Sequence, residues 1–440
     1  MTRSSWLWLG IPCIGLVMAS SEVVASTTLW RTVQLPSHPI NVISNGKSLW
    51  VCGVKEMIAE STDSGESWQP KHLNPTGAVL LTLGFASGEL GYAAGTGGAL
   101  LLTTDGGTTW KAVPGGTESI YNAAFADEKR GLIETATAVK FTSDGGKTWN
   151  DIPLLKSDKD LAEFKFVLSM AALDGDQMAF MLKEGPAQYY SQRIIETHNG
   201  GSTWKVVDIP SVTLTAFFSR NHEYWAFGTE VIEKEKPGGG HGVPLVMHSS
   251  DGEVWKHNPR PDAEIAACTP AGCLLGDGAG VDPFGSKPSY WTFPAEKLIS
   301  TKWASEPGVV CTVSGSLRCA PTTAVEGLPS KTDSGSIPPV LMLRALGAPR
   351  PPSLLCISCP YEMIVVSDTL SGPQEIKLDL LIGTDGIVYE VKVLKAPNAE
   401  IGERFSTAAH EWVFEPPTIE GTSAQAHTQV RLRVQAIKSR

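Results

Sequence analysis

The sequence predicts a mostly-β protein: a β-propeller, read as seven-bladed with six or eight blades as the alternatives, followed by a small α+β domain of order β-β-α-β. Three observations predict it. An eight-residue phrase, "TTDGGTTW" at 103–110, returns as "TSDGGKTW" at 142–149. Tryptophans then recur at a period near forty residues, the length of a four-stranded blade. Beyond residue 353 the pattern changes to alternating strands around one amphipathic helix.

A chain of 440 residues suits two or three domains. Hydrophobic residues at 42% and charged residues at 19% supply an ordinary core, and 44 Gly with 30 Pro favour many turns between short strands. The formal charge of −10 leaves no basic stripe, which excludes nucleic acid as the expected partner. Residues 1–25 read as a secretory signal: Arg3, an apolar run from Trp6 to Ala19, then small residues near "VVA". The run is short for a membrane span, which needs about 20 residues, although an uncleaved anchor is the alternative. Export places the protein in the periplasm or outside the cell.

The repeated phrase has further copies: "STDSGESW" (61–68), "THNGGSTW" (197–204) and a shortened "SSDGEVW" (249–255). An Asp or Asn in the turn accepts backbone N–H groups two residues on, while the Ser or Thr two residues before it adds a hydroxyl. Glycines in the turn permit positive φ. The Trp opens the next strand and packs between blades. The turn residues are thus Asp63, Gly65 and Trp68; Asp105, Gly107 and Trp110; Asp144, Gly146 and Trp149; Asn199, Gly201 and Trp204; Asp251 and Trp255. Asn199 in the fourth copy shows that the position needs an acceptor more than a charge.

The phrase resembles the Asp-box, or bacterial neuraminidase repeat, S/T-x-D-x-G-x-T/S-W. That resemblance implies a propeller with each box between the third and fourth strands of a blade, away from the functional face. Two rival readings are weaker. "GGKT" at 145–148 lacks the first glycine of a phosphate-binding loop, Phe141 standing there, and that motif also needs a following helix. Each box offers one carboxylate, short of the six or more oxygens calcium takes. No metal and no cofactor is expected.

Trp30, Trp68, Trp110, Trp149, Trp204, Trp255 and Trp291 are 38, 42, 39, 55, 51 and 36 residues apart. Six of them, from Trp68 to Trp291, end six blades. "PGVVCTVSG" and "SLRCAPT" supply part of a seventh, which the N-terminal "LWRTVQLP" completes as an outer strand. The propeller then runs from 27 to 320, and 321–353 reads as a Pro/Gly/Ser-rich linker.

Residues 354–438 form the second domain. "QEIKLDLLIGTDGIVYEVKVLKAPN" is two strands around a turn at Asp385-Gly386, "AEIGERFSTAAHEWVFEPP" a helix entering an extended run, and "AHTQVRLRVQAI" a last strand. Gly383, Asp385, Gly386, Val388, Trp412, Phe414, Pro416 and Gly421 make this stretch resemble the C-terminal domain of TonB-type energy transducers. The resemblance implies an edge strand that meets an extended peptide from a partner. The short linker departs from that family and speaks against energy transduction. Of the cysteines, Cys268 with Cys273 and Cys311 with Cys319 flank short turns and are candidate disulfides in an oxidising compartment. Cys356 and Cys359 are a third close pair, and Cys52 is left over.

For function, two classes compete. Sialidases use Asp-box propellers, but their chemistry needs an arginine triad on a substrate carboxylate. The Phe-Arg-Ile-Pro motif of that family is absent, "LPSHPINVIS" standing in its place. "GYAAGTGGALLLTTDGGTTWKAV" (91–113) resembles instead the propeller of photosystem II assembly and stability factors, a non-enzymatic ring that holds a membrane-protein subunit. His241, His248 and His257 around "KPGGGHG" read as loop histidines rather than metal ligands. The expected protein is an exported, non-enzymatic binding or assembly scaffold for protein partners in the cell envelope, with a sialidase-like glycoside hydrolase as the alternative.

Overall fold

The computed structural model describes residues 30–438 except 136, 158–160, 162–163, 185–191, 208–211, 233–240, 259–264, 270–271, 276–279, 283–288, 293–301, 326–340, 346–355, 359–363, 367–373, 411 and 420–421. Residues 1–25, read from the sequence as a secretory signal, and Cys359 and Gly421 lie outside the described residues.

Seven antiparallel sheets follow one another among the described residues, six of four strands and one of five, and in the first six the first four strands run outward in chain order. The first comprises Pro39–Ser44, Leu49–Gly53, Ile58–Ser61 and Gln69–His72, and the second Leu80–Phe85, Gly91–Gly95, Leu100–Thr103 and Lys111–Ala112. The inner strand of each of the first five sheets packs on that of the next. This is a β-propeller.

The last sheet explains the early Trp30. Trp303–Glu306, Val309–Ser314 and Ser316–Pro321 provide three strands, and Arg31–Thr32 adds the outermost one, with Arg31 opposite Cys319. Val42, Leu49, Val51, Met57 and Ala59 of blade 1 share one buried cluster with Ala304, Val309, Cys311 and Leu317 of blade 7. The first and last blades are therefore held by apolar burial, which contributes roughly 25 cal/mol per Å² removed from water. A disulfide joins Cys311 to Cys319 across blade 7. Cys268 stands opposite Cys273 in blade 6, and Cys273 is disulfide-bonded. Cys52 is a buried free thiol, its pKa pushed up to about 12 by burial, so it behaves as a small core hydrophobe.

The C-terminal domain has the expected order: strands Gln374–Ile382 and Val388–Lys395, helix Ala399–Ala409, and strand Ala426–Lys438. Asn398 caps the helix, its Oδ1 accepting from Ile401 N at 2.9 Å. Ile401, Phe405 and Ala409 face Ile376, Leu378, Leu380, Val430 and Leu432 of the sheet, and Trp412 and Phe414 close that core. The stretch 321–353 read as linker is interrupted by two strands. Thr323–Val325 adds to the edge of blade 6, and Leu341–Ala345 pairs with Ala426–Lys438. Both are short apolar runs, "TAV" and "LMLRA", that an unpaired sheet edge captures where composition alone reads as loop.

Candidate partner-binding face

The two ends of each blade differ. One end carries the turn between the third and fourth strands, where the boxes lie. In the second blade Thr109 N donates to Asp105 Oδ1 at 2.8 Å and Thr109 Oγ1 donates to Asp105 Oδ2 at 2.6 Å. Thr103 Oγ1 donates to Asp105 Oδ1 at 2.7 Å and accepts from Gly107 N at 2.9 Å. Asp63 and Asp144 repeat this with Ser67 and Thr148. The carboxylate thus reaches four residues on, not two as expected, because the two glycine-rich positions between are spent on the bend. Only the shortened fifth box bonds nearer, Asp251 accepting from Glu253 N and Val254 N.

Asn199 substitutes by geometry. Its Oδ1 accepts from Thr203 N at 2.8 Å, and its Nδ2 donates to Thr203 Oγ1 at 2.7 Å, where an Asp would accept. The hydrogen bonds, first among them those from Ser67, Thr109 and Thr148, hold the Asp63, Asp105 and Asp144 carboxyls down at about 2.

Each box tryptophan reaches the preceding blade. Trp110 meets Trp50 with ring centroids 6.3 Å apart, and Trp204 meets Phe141 at 5.8 Å. Trp149 Nε1 donates to Pro114 O at 2.9 Å, and Trp255 packs in one cluster with Ala179, Met181 and Ile194. Trp68 joins the closing cluster of blades 7 and 1. Gly146, Gly201 and Gly107 have φ of +82°, +93° and +86°, and a Cβ on Gly107 would lie 2.1 Å from Trp50. At this end of the ring the box residues close turns and pack blade on blade.

The opposite end carries the turns between second and third strands and the connections from blade to blade. Gly53 and Gly95 let the two meet: a Cβ there would lie 2.0 Å from His38 O and 1.9 Å from Val79 O. Val54 N and Thr96 N instead donate to those carbonyls, each at 2.9 Å. Here the inner strands of blades 1, 2 and 3 each carry one bulge, which leaves Ile40, Leu81 and Tyr121 outside the ladder register. Released from pairing, these side chains join Val54 and Val79 in an apolar patch. Neither the box motif nor the tryptophan spacing points to these residues. Their signal lies elsewhere in the sequence: Ile40-Asn41, Leu81-Thr82 and Tyr121-Asn122 repeat at the period of the boxes.

That patch is covered by the C-terminal domain. Val413, with Ile387 beside it, packs on Ile40, Val54, Val79 and Leu81. Glu415 Oε1 accepts from Ser119 Oγ at 2.8 Å, and Ser119 Oγ accepts from Gly97 N at 3.3 Å. Beside them a cavity of about 420 Å³ opens between Glu56, Thr96, Gly98, Glu415 and Pro416. The residues singled out as TonB-like converge behind this contact. The Asp385-Gly386 turn lies against the extended run, Phe414 N donating to Gly386 O at 2.8 Å. Gly386 has φ +80°, and a Cβ on it would lie 2.1 Å from Phe414 O. Gly383 N closes the turn by donating to Ile387 O at 2.8 Å.

The face is acidic. Glu118 accepts from Thr137 Oγ1 at 3.0 Å, and Glu134 Oε2 accepts from Asn122 Nδ2. Burial raises the Tyr121 hydroxyl pKa, and Glu415, Glu134 and Glu118 raise it further. Burial also raises the Glu134 carboxyl. Three of the arginines lie in separate blades with partners of their own. Arg31 pairs with Glu66 Oε2 at 2.8 Å, Arg130 with Asp176 Oδ1 at 2.7 Å, and Arg193 Nη1 donates to Gln192 O at 3.0 Å. His248 stacks on Trp225 at 4.8 Å and meets Glu223 Oε1 at 3.2 Å.

Residues 22–150 match the family model of the photosynthesis system II assembly factor YCF48. The match spans the first three blades, where the boxes are most regular. Among solved structures, the chain is similar to YCF48 bound to D1 peptide, with 17% identity, a TM-score of 0.39, and coverage of 68% of this chain and 98% of that one. It is similar to YCF48 from Cyanidioschyzon merolae, with 14% identity, a TM-score of 0.37, and coverage of 66% and 98%. An ancestral GH74 enzyme is also similar, with 14% identity, a TM-score of 0.36, and coverage of 73% and 43%. A search of curated proteins returns no match.

Proposed function

We propose that the protein is an exported, non-enzymatic scaffold that binds protein partners in the cell envelope through the face of its propeller opposite the boxes. The observation that carries this reading is the patch of bulged residues Ile40, Leu81 and Tyr121. A bulge repeated in three blades places apolar side chains where nothing in the ring needs them. The C-terminal domain covers this patch in the structure, and an apolar surface at such a place is also what a protein partner covers. The match of residues 22–150 to an assembly-factor family supports a binding role.

The C-terminal domain, TonB-like in its motif, is a second binding module. Its strand Val388–Lys395 lies at the edge of a five-stranded sheet and exposes Tyr389, Val393 and Leu394. An edge with apolar side chains accepts an added strand from an extended peptide.

The test compares full-length protein with Leu81→Asp and Asp144→Asn variants as baits in an envelope extract, alongside a fluorogenic sialoside and aryl glycosides. Leu81→Asp loses specific partners, Asp144→Asn keeps them, and none turns over a glycoside. Retention of every partner by Leu81→Asp, or turnover abolished by Arg193→Ala, would overturn the scaffold reading.

A further inference from the structure

We propose that Val413 and Glu415 are a built-in ligand seated in the propeller's peptide site, and that the partner displacing them is an extended segment with a branched aliphatic residue followed, two positions on, by a basic one. This inference rests on the scaffold reading and names the partner class of that same face.

The seated segment already has the form of a bound peptide. "WVFEPP" runs extended from Trp412, with Val413–Phe414 in a two-residue strand. Trp412 and Phe414 turn into the C-terminal core, while Val413 points the other way into the patch of Ile40, Val54, Val79 and Leu81. Alternation along an extended chain brings Glu415 to the same side as Val413, and it meets Ser119 there at 2.8 Å. One aliphatic anchor and one hydrogen bond two positions later form a two-point recognition site on the ring.

The second point is poorly matched to its surroundings. Glu415 lines one cavity with Glu56, and Glu118 stands next in the chain to Ser119, the hydrogen-bond partner of Glu415. The Lys140 ammonium is already engaged 3.8 Å from Glu118, and the His72 ring lies 3.3 Å from Glu56. Placing a carboxylate among carboxylates weakens the internal contact. A basic side chain at the same position meets complementary charge, while Ser119 Oγ can accept its hydrogen bond. The internal ligand is therefore built to be displaced: its anchor is apolar and well buried, and its charge is of the wrong sign.

The experiment uses the full chain and two labelled nonapeptides, one copying residues 410–418 and one carrying Glu415→Lys, monitored by fluorescence polarisation. Val413→Asp places a charge in the apolar patch and opens the face, read independently as faster amide exchange at Val54 and Thr96. In that background the Glu415→Lys peptide binds about tenfold more tightly than to wild type, because the competing internal ligand is gone. It also binds more tightly than the unsubstituted peptide, an advantage that shrinks as salt is raised. Adding Leu81→Asp to Val413→Asp removes binding of both. If exchange quickens but neither peptide binds, or if exchange does not change, the contact is only domain packing and the proposal fails. Should Leu81→Asp nonetheless lose partners from the extract, the scaffold reading survives that failure. If the peptides bind but the extract yields no Leu81-dependent partner, the scaffold reading fails instead.

Discussion

Ser119, on the third blade of the ring, donates a hydrogen bond of 2.8 Å to Glu415, 296 positions later in the C-terminal domain. The pair joins the two halves of the chain on the face that the boxes leave free. An apolar patch lies beside it, so the contact is one polar tie next to a buried cluster.

The turn behind the docking segment should be sensitive to a single methyl group. Gly386→Ala needs a positive φ and drives a Cβ into Phe414 O. We expect a loss on the order of 1–3 kcal/mol in the C-terminal domain and faster exchange at Phe414 N. Denaturant unfolding with exchange mass spectrometry reads both, and an unchanged Phe414 amide would refute the coupling of turn and docking segment.

In the boxes, geometry matters more than charge. Asp144→Asn should melt close to wild type, since Asn199 performs the same task at blade 4. Asp144→Ala removes the acceptor for Thr148 N and Oγ1 and should lower the melting temperature by a few degrees. Equal melting of the two variants would show that the acceptor contributes nothing.

Acid should weaken the ring through the same carboxyls. Asp63, Asp105 and Asp144 fall from an ordinary 3.8 to about 2 in the folded protein. A depressed folded pKa contributes stability above the unfolded value, which is lost as pH falls from about 4 through 2. Replacing all three by Asn should flatten the pH dependence of unfolding across that window. An unaltered slope would assign acid lability to other groups.

Blade 7 depends on residues that look like a disposable terminus. Deleting 30–36 removes the pairing of Arg31 with Cys319 and the bond from Val33 N to Leu317 O at 2.8 Å. The exposed edge should aggregate and melt well below the parent, seen by light scattering during a thermal ramp. A deletion variant with the parent's melting curve would deny the closure.

The Cys311–Cys319 disulfide closes a loop of 8 residues. A loop that short is worth about 2.5 kcal/mol of unfolded-state entropy. Replacing both cysteines by Ala should reduce stability by that order in urea titrations without reductant, and leave less of a difference when reductant is present.

The sequence by itself determined the ring and the outline of the C-terminal domain. Box spacing, the tryptophans and the early "LWRTVQLP" are local signals, since a turn's acceptor, glycines and following Trp are all within eight residues. For the same reason the β-β-α-β order near Asp385 was legible, as was the pairing of Cys311 with Cys319 across a short turn. The reach of the Asp carboxylate was misjudged by two residues, because the path of the bend depends on which glycines take positive φ. What only tertiary structure decided is which apolar residues gather on the face opposite the boxes. Ile40, Leu81 and Tyr121 look like ordinary strand residues until a bulge in three neighbouring blades turns them outward together. Val413 and Glu415 look like the end of a helix connection until the fold carries them across nearly the whole chain to that patch. Contacts of that separation are set by packing of complete domains, and no periodicity within either domain encodes them.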